Sequence, residues 1–235
     1  MYTLTKPALL RRPSLGGLTS ALLPRRPESL NLGATALRDR AVLGKGAPAR
    51  ALERLAIALE DRVPGTYGHC YRVGVYSAEL AKGAGLSRRG VARVRRAAVV
   101  HDIGKVESPS EILNKPGPLS AAEFELVKRH SEIGAEMVRE LGDEELTAIV
   151  RHHHERFDGS GYPDGLAGEE IPFGARIVAV ADTFDAVTST RPYRGARGHP
   201  EALDLLLAEA GTQLDPDLVT LFHDSYAELW EGPSR

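Results

Sequence analysis

The chain has 235 residues, 42% of them hydrophobic, which is enough for one large domain with its own core. A single cysteine, Cys70, excludes an intrachain disulfide framework, and no apolar run approaches the roughly 18 residues that a membrane-spanning helix needs. The N-terminal segment also lacks the compact apolar core of a signal peptide. These features predict a globular cytoplasmic protein without a membrane span.

Charge is unevenly distributed along the chain, although the net charge is only −2. Residues 1–48 contain 8 Lys/Arg and 2 Asp/Glu, a balance of +6, which leaves 22 basic and 30 acidic residues, or −8, for residues 49–235. Because Pro and Gly interrupt the basic part, we expect residues 1–48 to form a flexible N-terminal tail. A contact of this tail with nucleic acid, anionic lipid or an acidic partner remains an alternative.

From residue 49 onward the pattern is helical. The segments LERLAIAL (52–59) and VGVYSAEL (73–80) place apolar residues one helical turn apart and predict two amphipathic helices. Ser87 is the expected N-cap of a third helix that runs into VVHDIGK (99–105). Each of these helices therefore presents one apolar face to a core.

Turn residues divide the middle of the chain. After KPGP (115–118), Ser120 and Glu123 have the spacing of a capping box and predict a long helix to about Leu141. Asp143 is the expected cap of the next helix, which ends at three histidines. The turn-forming residues of DGSGYPDGLAGEEIPFG (158–174) then predict an irregular loop.

The segment ARIVAVADTFDAV (175–187) is apolar nearly all round and fits either a buried helix or a buried strand. Its length and its helical neighbours favour a core helix. Two further helices are expected to close the chain, one with Pro200 in its first turn and one with Asp215 as N-cap and Pro216 at its first position. Without a repeat or a clear strand alternation, the predicted fold class is all-α.

Three consecutive histidines in RHHHERFDGSGYP (151–163) stand out in a chain with 8 His. Histidine is a mediocre helix former, so the cluster favours metal coordination or anion chemistry over a local structural role. More imidazoles and carboxylates lie on separate predicted helices, and such donors suit Fe or Mn, whereas the lack of thiolates argues against a structural zinc site. The additional candidates are His69, His101, Asp102, His130 and Asp182.

Asp182 carries most weight among these, since an unpaired carboxylate inside an apolar helix would be costly and a bound metal would remove the cost. A buried Asp bonded to Arg or to backbone is the structural alternative. For the adjacent His101 and Asp102 the alternative is an ordinary hydrogen-bonded pair.

Five segments in order, HDIGK, ILNKPGPLS, HHERFDGSGYPDGLAGEEIP, RIVAVADTFDAV and RPYR, resemble the HD-GYP domain. This domain is a branch of the HD phosphohydrolase superfamily that degrades the bacterial messenger cyclic di-GMP. The resemblance covers about residues 50–225, so residues 49–235 are expected to form the HD-GYP domain. It implies an HD-domain bundle of about seven or eight helices with an irregular GYP loop.

The resemblance also implies the roles of individual residues. Lys105 corresponds to the lysine that contacts the scissile phosphate, His152 is expected on the helix surface, and Asp185 is expected to orient a metal ligand through a hydrogen bond. Substrate-binding residues are implied at Lys105, Tyr162, Arg191 and Arg194. Metal ligands are implied at His69, His101, Asp102, His130, His153, His154 and Asp182, with Asp102 shared by two metals.

One position departs from the family pattern. Members with three metals have a glutamate one helical turn before the first histidine, and this chain has Gly65 there, while Glu60 and Asp61 are too far upstream for that face of the helix. We therefore expect two divalent transition metals, iron or manganese, and regard a third as doubtful. The implied reaction is hydrolysis of cyclic di-GMP to pGpG or GMP by a metal-bridging hydroxide, with Asp102 and Lys105 as catalytic residues.

Two alternatives stay open at this point. The domain can be a catalytically weak nucleotide-binding or protein-interaction regulator, or it can hydrolyse another cyclic dinucleotide. Apart from the cyclic dinucleotide, a diguanylate cyclase or another signalling protein and a second copy of the chain are conceivable partners. Nucleic acid is not expected as a partner.

Overall fold

The computed structural model describes residues 47–189 and 197–231. Within these ranges the chain is helical and contains no β-strand, which confirms the all-α prediction. Two short 3-10 helices span Ile103–Glu107 and Gly168–Glu170. The α-helices are α1 (Ala47–Arg62), α2 (Thr66–Gly83), α3 (Arg88–Val100), α4 (Ser110–Leu113), α5 (Ala121–Lys128), α6 (His130–Arg139), α7 (Glu144–His152), α8 (Phe173–Thr188), α9 (His199–Ala208) and α10 (Pro216–Glu231).

The helices begin where the sequence places capping residues. The Ser87 hydroxyl accepts a hydrogen bond from Gly90 N at 3.2 Å, and the Asp143 carboxylate accepts one from Leu146 N at 3.1 Å. Ser120 and Glu123 form both bonds of a capping box at the start of α5. These side chains satisfy N–H groups that a helix start leaves without partners, so the predicted starts of α3, α5 and α7 are confirmed.

The single helix predicted from Ser120 to about Leu141 is wrong, because the chain is interrupted at Arg129 between α5 and α6. At the interruption, His130 Nδ1 bonds to the carbonyl of Val127 at 2.6 Å. The Ser131 hydroxyl donates to the carbonyl of Lys128 at 3.2 Å. Side chains thus compete for carbonyls that a continuous helix would use. The sequence has no Gly or Pro at this position that would have predicted the interruption.

Helix α8 is the centre of the core and contacts α2, α3, α7, α9 and α10. Its Ile177, Val178, Val180 and Phe184 side chains are fully buried, so the prediction of a core helix over residues 175–187 is confirmed. Complete burial of a large apolar side chain contributes about 1.5–3 kcal/mol to the free energy of folding. An apolar helix surrounded in this way gives the remaining helices a rigid support.

A second contact fixes the segment after α3. The 3-10 helix Ile103–Glu107 packs on α6, and a Cβ added to Gly104 would lie 2.0 Å from the carbonyl oxygen of His130. Only glycine permits this approach. The close packing brings the end of α3 and the start of α6 together.

Among the described residues, no helix combines the length and the apolar character needed to cross a bilayer. Residues 1–46 lie outside the described ranges, so the predicted tail of residues 1–48 and its boundary with the domain of residues 49–235 stay predictions.

Candidate metal centre

The predicted metal ligands come from five parts of the chain and meet at one place. His69 lies on α2, His130 opens α6 and Asp182 lies on α8. His101 and Asp102 join α3 to the first 3-10 helix, and His153 and His154 follow α7 directly. Six of the seven form two overlapping groups, in each of which all ligand atoms lie within 4.8 Å of one another. The groups are Asp102, His130, His153 and His154, and His69, His101 and Asp102. The seventh, Asp182, has its Oδ1 3.2 Å from His69 Nε2.

Three of the imidazoles are oriented in the same way by the backbone. The Nδ1 atoms of His101, His130 and His153 lie 2.7, 2.6 and 2.7 Å from the carbonyl oxygen three residues earlier in the chain. Because a carbonyl only accepts, each Nδ1 carries the proton. Each Nε2 therefore presents a lone pair toward the centre, which is the tautomer that binds a metal.

The arrangement of these atoms fits a cation. His130 Nε2 and His153 Nε2 face each other at 3.3 Å, and with both protons on Nδ1 neither can donate to the other. Asp102 Oδ1 is buried and has no hydrogen-bond partner. Buried lone pairs without donors are unfavourable, and a divalent ion bound between them would remove this cost.

Asp102 occupies the position between the two groups. Its Oδ1 lies 3.3 Å from His130 Nε2, whereas its Oδ2 lies 3.5 Å from His101 Nε2. One carboxylate therefore reaches both sets of imidazoles with different oxygens. This geometry allows one aspartate to contribute to two adjacent ions.

Burial favours the neutral form of three of the candidate ligands. It lowers the pKa of His101, lowers that of His153 well below its usual range, and lowers that of His154 to about 3. At neutral pH these rings are uncharged and can bind a metal without losing a proton.

His69 behaves differently because carboxylates surround it. Burial acts to lower its pKa, but the hydrogen bonds that the ring donates to Asp182 and Asp185 outweigh burial and raise the pKa to about 9. Asp182 Oδ1 lies 3.2 Å from His69 Nε2 and Asp185 Oδ2 lies 2.8 Å from Nδ1. A pKa of about 9 favours the protonated ring at neutral pH, so Nε2 would have to lose its proton to bind a metal.

The two aspartates of α8 lie in different environments. Asp182, expected to be buried, has a side chain 19% exposed that opens toward the cluster, while Asp185 is 1% exposed. Arg72 donates to Asp185 Oδ1 at 2.5 Å and to Oδ2 at 2.9 Å. The alternative of a buried Asp paired with Arg thus applies to Asp185, and sequence reasoning missed Arg72, whose only sequence signal is its position one turn after His69.

Lys105 lies at the edge of the same cluster. Its Nζ is 2.6 Å from Asp102 Oδ2, and its side chain is 28% exposed. Burial acts to lower the pKa of Lys105, but Asp102 outweighs it and raises the pKa. A permanent positive charge therefore stands beside the candidate metal ligands and faces the opening.

The loop that carries Tyr162 is held by Glu155, which the sequence analysis did not single out. Glu155 is buried, and its Oε1 accepts from Asp164 N at 2.7 Å and from Gly165 N at 3.1 Å. The Tyr162 ring lies 4.9 Å from the ring of His154. Glu155 directly follows the histidine run, and this adjacency was the available signal.

Gly161 is required for the same loop to close. A Cβ at this position would lie 2.3 Å from Arg156 N and 2.6 Å from Glu155 Cα. Any other residue would push the loop away from the histidines.

His152 points away from the candidate metal ligands. Its Nδ1 bonds to the carbonyl of Ala148 at 2.8 Å and its Nε2 lies 2.9 Å from Asp164 Oδ2. The side chain is 13% exposed, so this residue, expected on the helix surface, is mostly covered by its neighbours. Its exclusion from the predicted ligand set agrees with the geometry.

Gly65 adds no carboxylate to the site. It adopts a left-handed conformation with φ of 93° before α2. Its N–H and that of Tyr67 donate to the two oxygens of Glu60 at 2.7 and 2.6 Å. Glu60 therefore caps the start of α2. Arg191 and Arg194, predicted to bind substrate, lie outside the described residues.

The fold and the site define an all-α protein in which clustered His and Asp side chains fit divalent metals. The HD domain family model matches residues 53–218. The chain therefore belongs to the HD domain family, and the resemblance to its HD-GYP branch is confirmed.

Two curated relatives and one solved structure are similar to the chain. It is 43% identical over 181 residues, 76% of this chain and 48% of the relative, to the cyclic di-GMP phosphodiesterase response regulator RpfG of Xanthomonas campestris pv. campestris. It is 36% identical to 3'3'-cGAMP-specific phosphodiesterase 2 of Vibrio cholerae, over 74% of this chain and 34% of that protein. The chain thus spans half or less of these relatives.

The structure of Bd1817, an HDG"Y"P protein from Bdellovibrio bacteriovorus, superposes with a TM-score of 0.59 at 19% identity, over 83% of this chain and 68% of that one. At this identity the likeness concerns the fold alone.

Proposed function

We propose that the domain is a metal-dependent phosphodiesterase that hydrolyses cyclic di-GMP. The observation that carries the proposal is the shared position of Asp102, which reaches His130 with one oxygen and His101 with the other. A site of this kind suits two adjacent cations rather than one. The names of the relatives, which include cyclic di-GMP phosphodiesterases, support the substrate class.

In this proposal one ion would be held by His69, His101, Asp102 and Asp182. The other would be held by Asp102 together with His130, His153 and His154. The donor set of imidazole and carboxylate favours iron or manganese. Two such ions would supply a Lewis acid for the phosphate and lower the pKa of a water molecule.

Residues of the chain position the phosphodiester. Lys105 is expected to place its ammonium beside a non-bridging phosphate oxygen and to stabilise charge that develops there. Tyr162 keeps its hydroxyl proton because burial raises its pKa, so it can donate a hydrogen bond to the nucleotide. Arg191 and Arg194 are proposed as further phosphate contacts through their guanidinium groups.

The reaction adds the oxygen of water to phosphorus and breaks the bond between phosphorus and the ribose 3' oxygen, which takes up a proton. One cleavage of cyclic di-GMP gives linear pGpG, and a second gives GMP. The cytoplasmic location and a diguanylate cyclase, another signalling protein or a second copy as partner stay predictions.

The first test compares metal-loaded wild type with Asp102→Ala. We expect wild type to convert cyclic di-GMP to pGpG or GMP, and the variant to lose metal by elemental analysis and to lose turnover, because one carboxylate serves both groups of imidazoles. Full activity of carefully washed Asp102→Ala would contradict the shared role.

The second test concerns Lys105→Ala, which we expect to keep its metal and to lose about 100-fold in kcat, since it removes charge stabilisation from the reacting phosphate. Lys82→Ala is the matched control, because Lys82 is an exposed lysine whose Nζ lies 3.8 Å from Glu79. Loss of metal in the Lys105 variant would assign this residue to the metal site instead.

A second candidate function is a regulatory module that binds cyclic dinucleotide without turnover. Gly65 favours it, because this position offers no carboxylate for a further metal. Binding of cyclic di-GMP by metal-loaded wild type with no pGpG or GMP formed would support this candidate and defeat the first.

A further inference from the structure

A small aromatic surface adjoins the candidate metal centre, and two of its three residues, Phe124 and Lys128, have no role in the assignments above. It consists of Phe124 and Lys128 on α5 and Tyr162 on the GYP loop, and we call it the aromatic corner. Phe124 is exposed, with 45% of its surface accessible. A single exposed apolar residue is common in proteins, so its neighbours decide whether it has a function.

The rings of the aromatic corner continue the metal centre toward solvent. The Tyr162 ring lies 4.9 Å from the His154 ring and inclines to it by 31°. The Phe124 ring lies 6.3 Å from Tyr162 at an interplanar angle of 85°. Two ring planes at nearly a right angle thus lie one side chain away from a candidate metal ligand.

Lys128 places a positive charge over both rings. Its Nζ is 4.9 Å from the centroid of Phe124 and 5.6 Å from that of Tyr162. The same ammonium is paired with Glu125 at 2.6 Å, but the Glu125 side chain is 68% exposed. An exposed pair of this type is worth little, so Lys128 can turn to a ligand at small cost.

We propose that the aromatic corner binds one guanine base of the substrate, with Phe124 and Tyr162 in contact with the base and Lys128 donating to its O6 and N7. Aromatic side chains stack on bases irrespective of sequence. A lysine that donates to O6 and N7 selects guanine, because adenine presents a donor in place of O6. The inference rests on the proposed function and adds a determinant of base preference.

The aromatic corner lies where a base of the bound substrate can reach it. A cyclic dinucleotide carries its two bases on a ring that contains both phosphodiesters. When one phosphate is bound at the metal centre, a base therefore lies close to that centre. The aromatic corner lies next to His154 and offers ring faces and a cation together. The two groups match the flat, electron-rich edge of guanine.

The test uses the metal-loaded full chain with Phe124→Ala, Phe124→Trp and Leu126→Ala. Leu126 is the matched control, because it lies on the same helix and is exposed to 44%. We expect Phe124→Ala to raise KM for cyclic di-GMP about tenfold, equivalent to about 1.4 kcal/mol, with kcat and metal content unchanged. Phe124→Trp should keep KM near wild type, and Leu126→Ala should resemble wild type throughout.

Lys128→Met tests the base preference separately. We expect the ratio between the Ki of cyclic di-AMP, used as a competitor, and the KM of cyclic di-GMP to fall about tenfold in this variant. Phe124→Ala should weaken the binding of both nucleotides and leave the ratio of Ki to KM nearly unchanged, since stacking does not distinguish the two purines.

The results separate this inference from the proposed function. Wild type that hydrolyses cyclic di-GMP, with Phe124→Ala equal to Leu126→Ala and the ratio unchanged in Lys128→Met, would overturn the aromatic corner alone. Wild type without turnover would overturn the proposed function. In that case, the dissociation constants of the two nucleotides, measured by equilibrium dialysis for the same variants, decide on the aromatic corner.

Discussion

At the scale of single residues, the backbone determines which nitrogen each histidine offers to a metal. His101, His130 and His153 each use Nδ1 for a carbonyl three residues earlier, whereas His69 uses Nδ1 for the carboxylate of Asp185. A carbonyl has no charge, but a carboxylate stabilises imidazolium. His69 is therefore the histidine whose pKa is raised, whereas burial lowers the pKa of His101 and of His153.

This difference predicts that metal binding at the His69 group depends on pH. Because Nε2 of His69 must lose its proton to bind a metal and its pKa is about 9, the apparent affinity should fall as pH decreases below 9, by up to about tenfold per pH unit. The ring of His154, with a pKa of about 3, adds no dependence between pH 6 and 9.

Calorimetric titration of the apoprotein with Mn²⁺ in buffers of different ionisation enthalpy measures the protons released. We expect close to one proton per ion bound at the His69 group near pH 7, and none near pH 10. An affinity that is constant from pH 6 to 9, with no proton released, would show that His69 does not bind the ion.

At the scale of elements, one buried carboxylate determines the shape of the GYP loop. Glu155→Ala would leave the N–H groups of Asp164 and Gly165 without their acceptor. Hydrogen bonds to a charged group are worth about 1.5–3 kcal/mol, so we expect a loss of that order in the free energy of unfolding. The displaced Tyr162 should also raise KM for cyclic di-GMP.

Denaturant unfolding and steady-state kinetics check this prediction. Glu136→Ala is the control, since Glu136 is exposed and pairs with Arg139 at 2.7 Å within one helix, an interaction expected to contribute less than about 1 kcal/mol. Equal stability and equal KM in the two variants would mean that Glu155 does not hold the loop.

The elements also show what the sequence could predict. Caps such as Ser87 and Asp143 and the apolar period of α8 are local signals, and the structure agrees with them. The interruption at Arg129 depends on side chains that bond back to the helix, and Arg72 and Glu155 act through partners remote in sequence or in a loop. No local pattern encodes these contacts, because the same residues also occur on ordinary helix surfaces.

At the scale of the whole molecule, the candidate metal centre connects helices that are far apart in the chain. Candidate ligands on α2 and α6 and at the ends of α3 and α7 lie close together, and Asp182 on α8 lies 3.2 Å from His69 Nε2. Unfolding separates them, so an ion that binds the cluster binds the folded state selectively. Metal should therefore stabilise the tertiary structure as a unit and not only one loop.

The last prediction is a rise in Tm with added metal. At a free ion concentration 100 times Kd, linkage contributes about 2.7 kcal/mol, and for a domain of this size 1 kcal/mol changes Tm by about 2–4 °C. We therefore expect Mn²⁺ to raise the Tm of chelator-treated protein by about 5–11 °C in differential scanning calorimetry. Asp102→Ala should show a much smaller rise, whatever its own Tm without metal.

Ca²⁺ is the control ion for this measurement. It prefers six to eight oxygen ligands, whereas the cluster offers mainly imidazole nitrogens, so it should raise the Tm less than Mn²⁺ at the same concentration. Equal effects of Ca²⁺ and Mn²⁺, or equal effects of Mn²⁺ on wild type and Asp102→Ala, would place the stabilising ion elsewhere on this acidic domain. A rise specific to Mn²⁺ and to Asp102 requires the imidazoles and the shared carboxylate to act on the same ions.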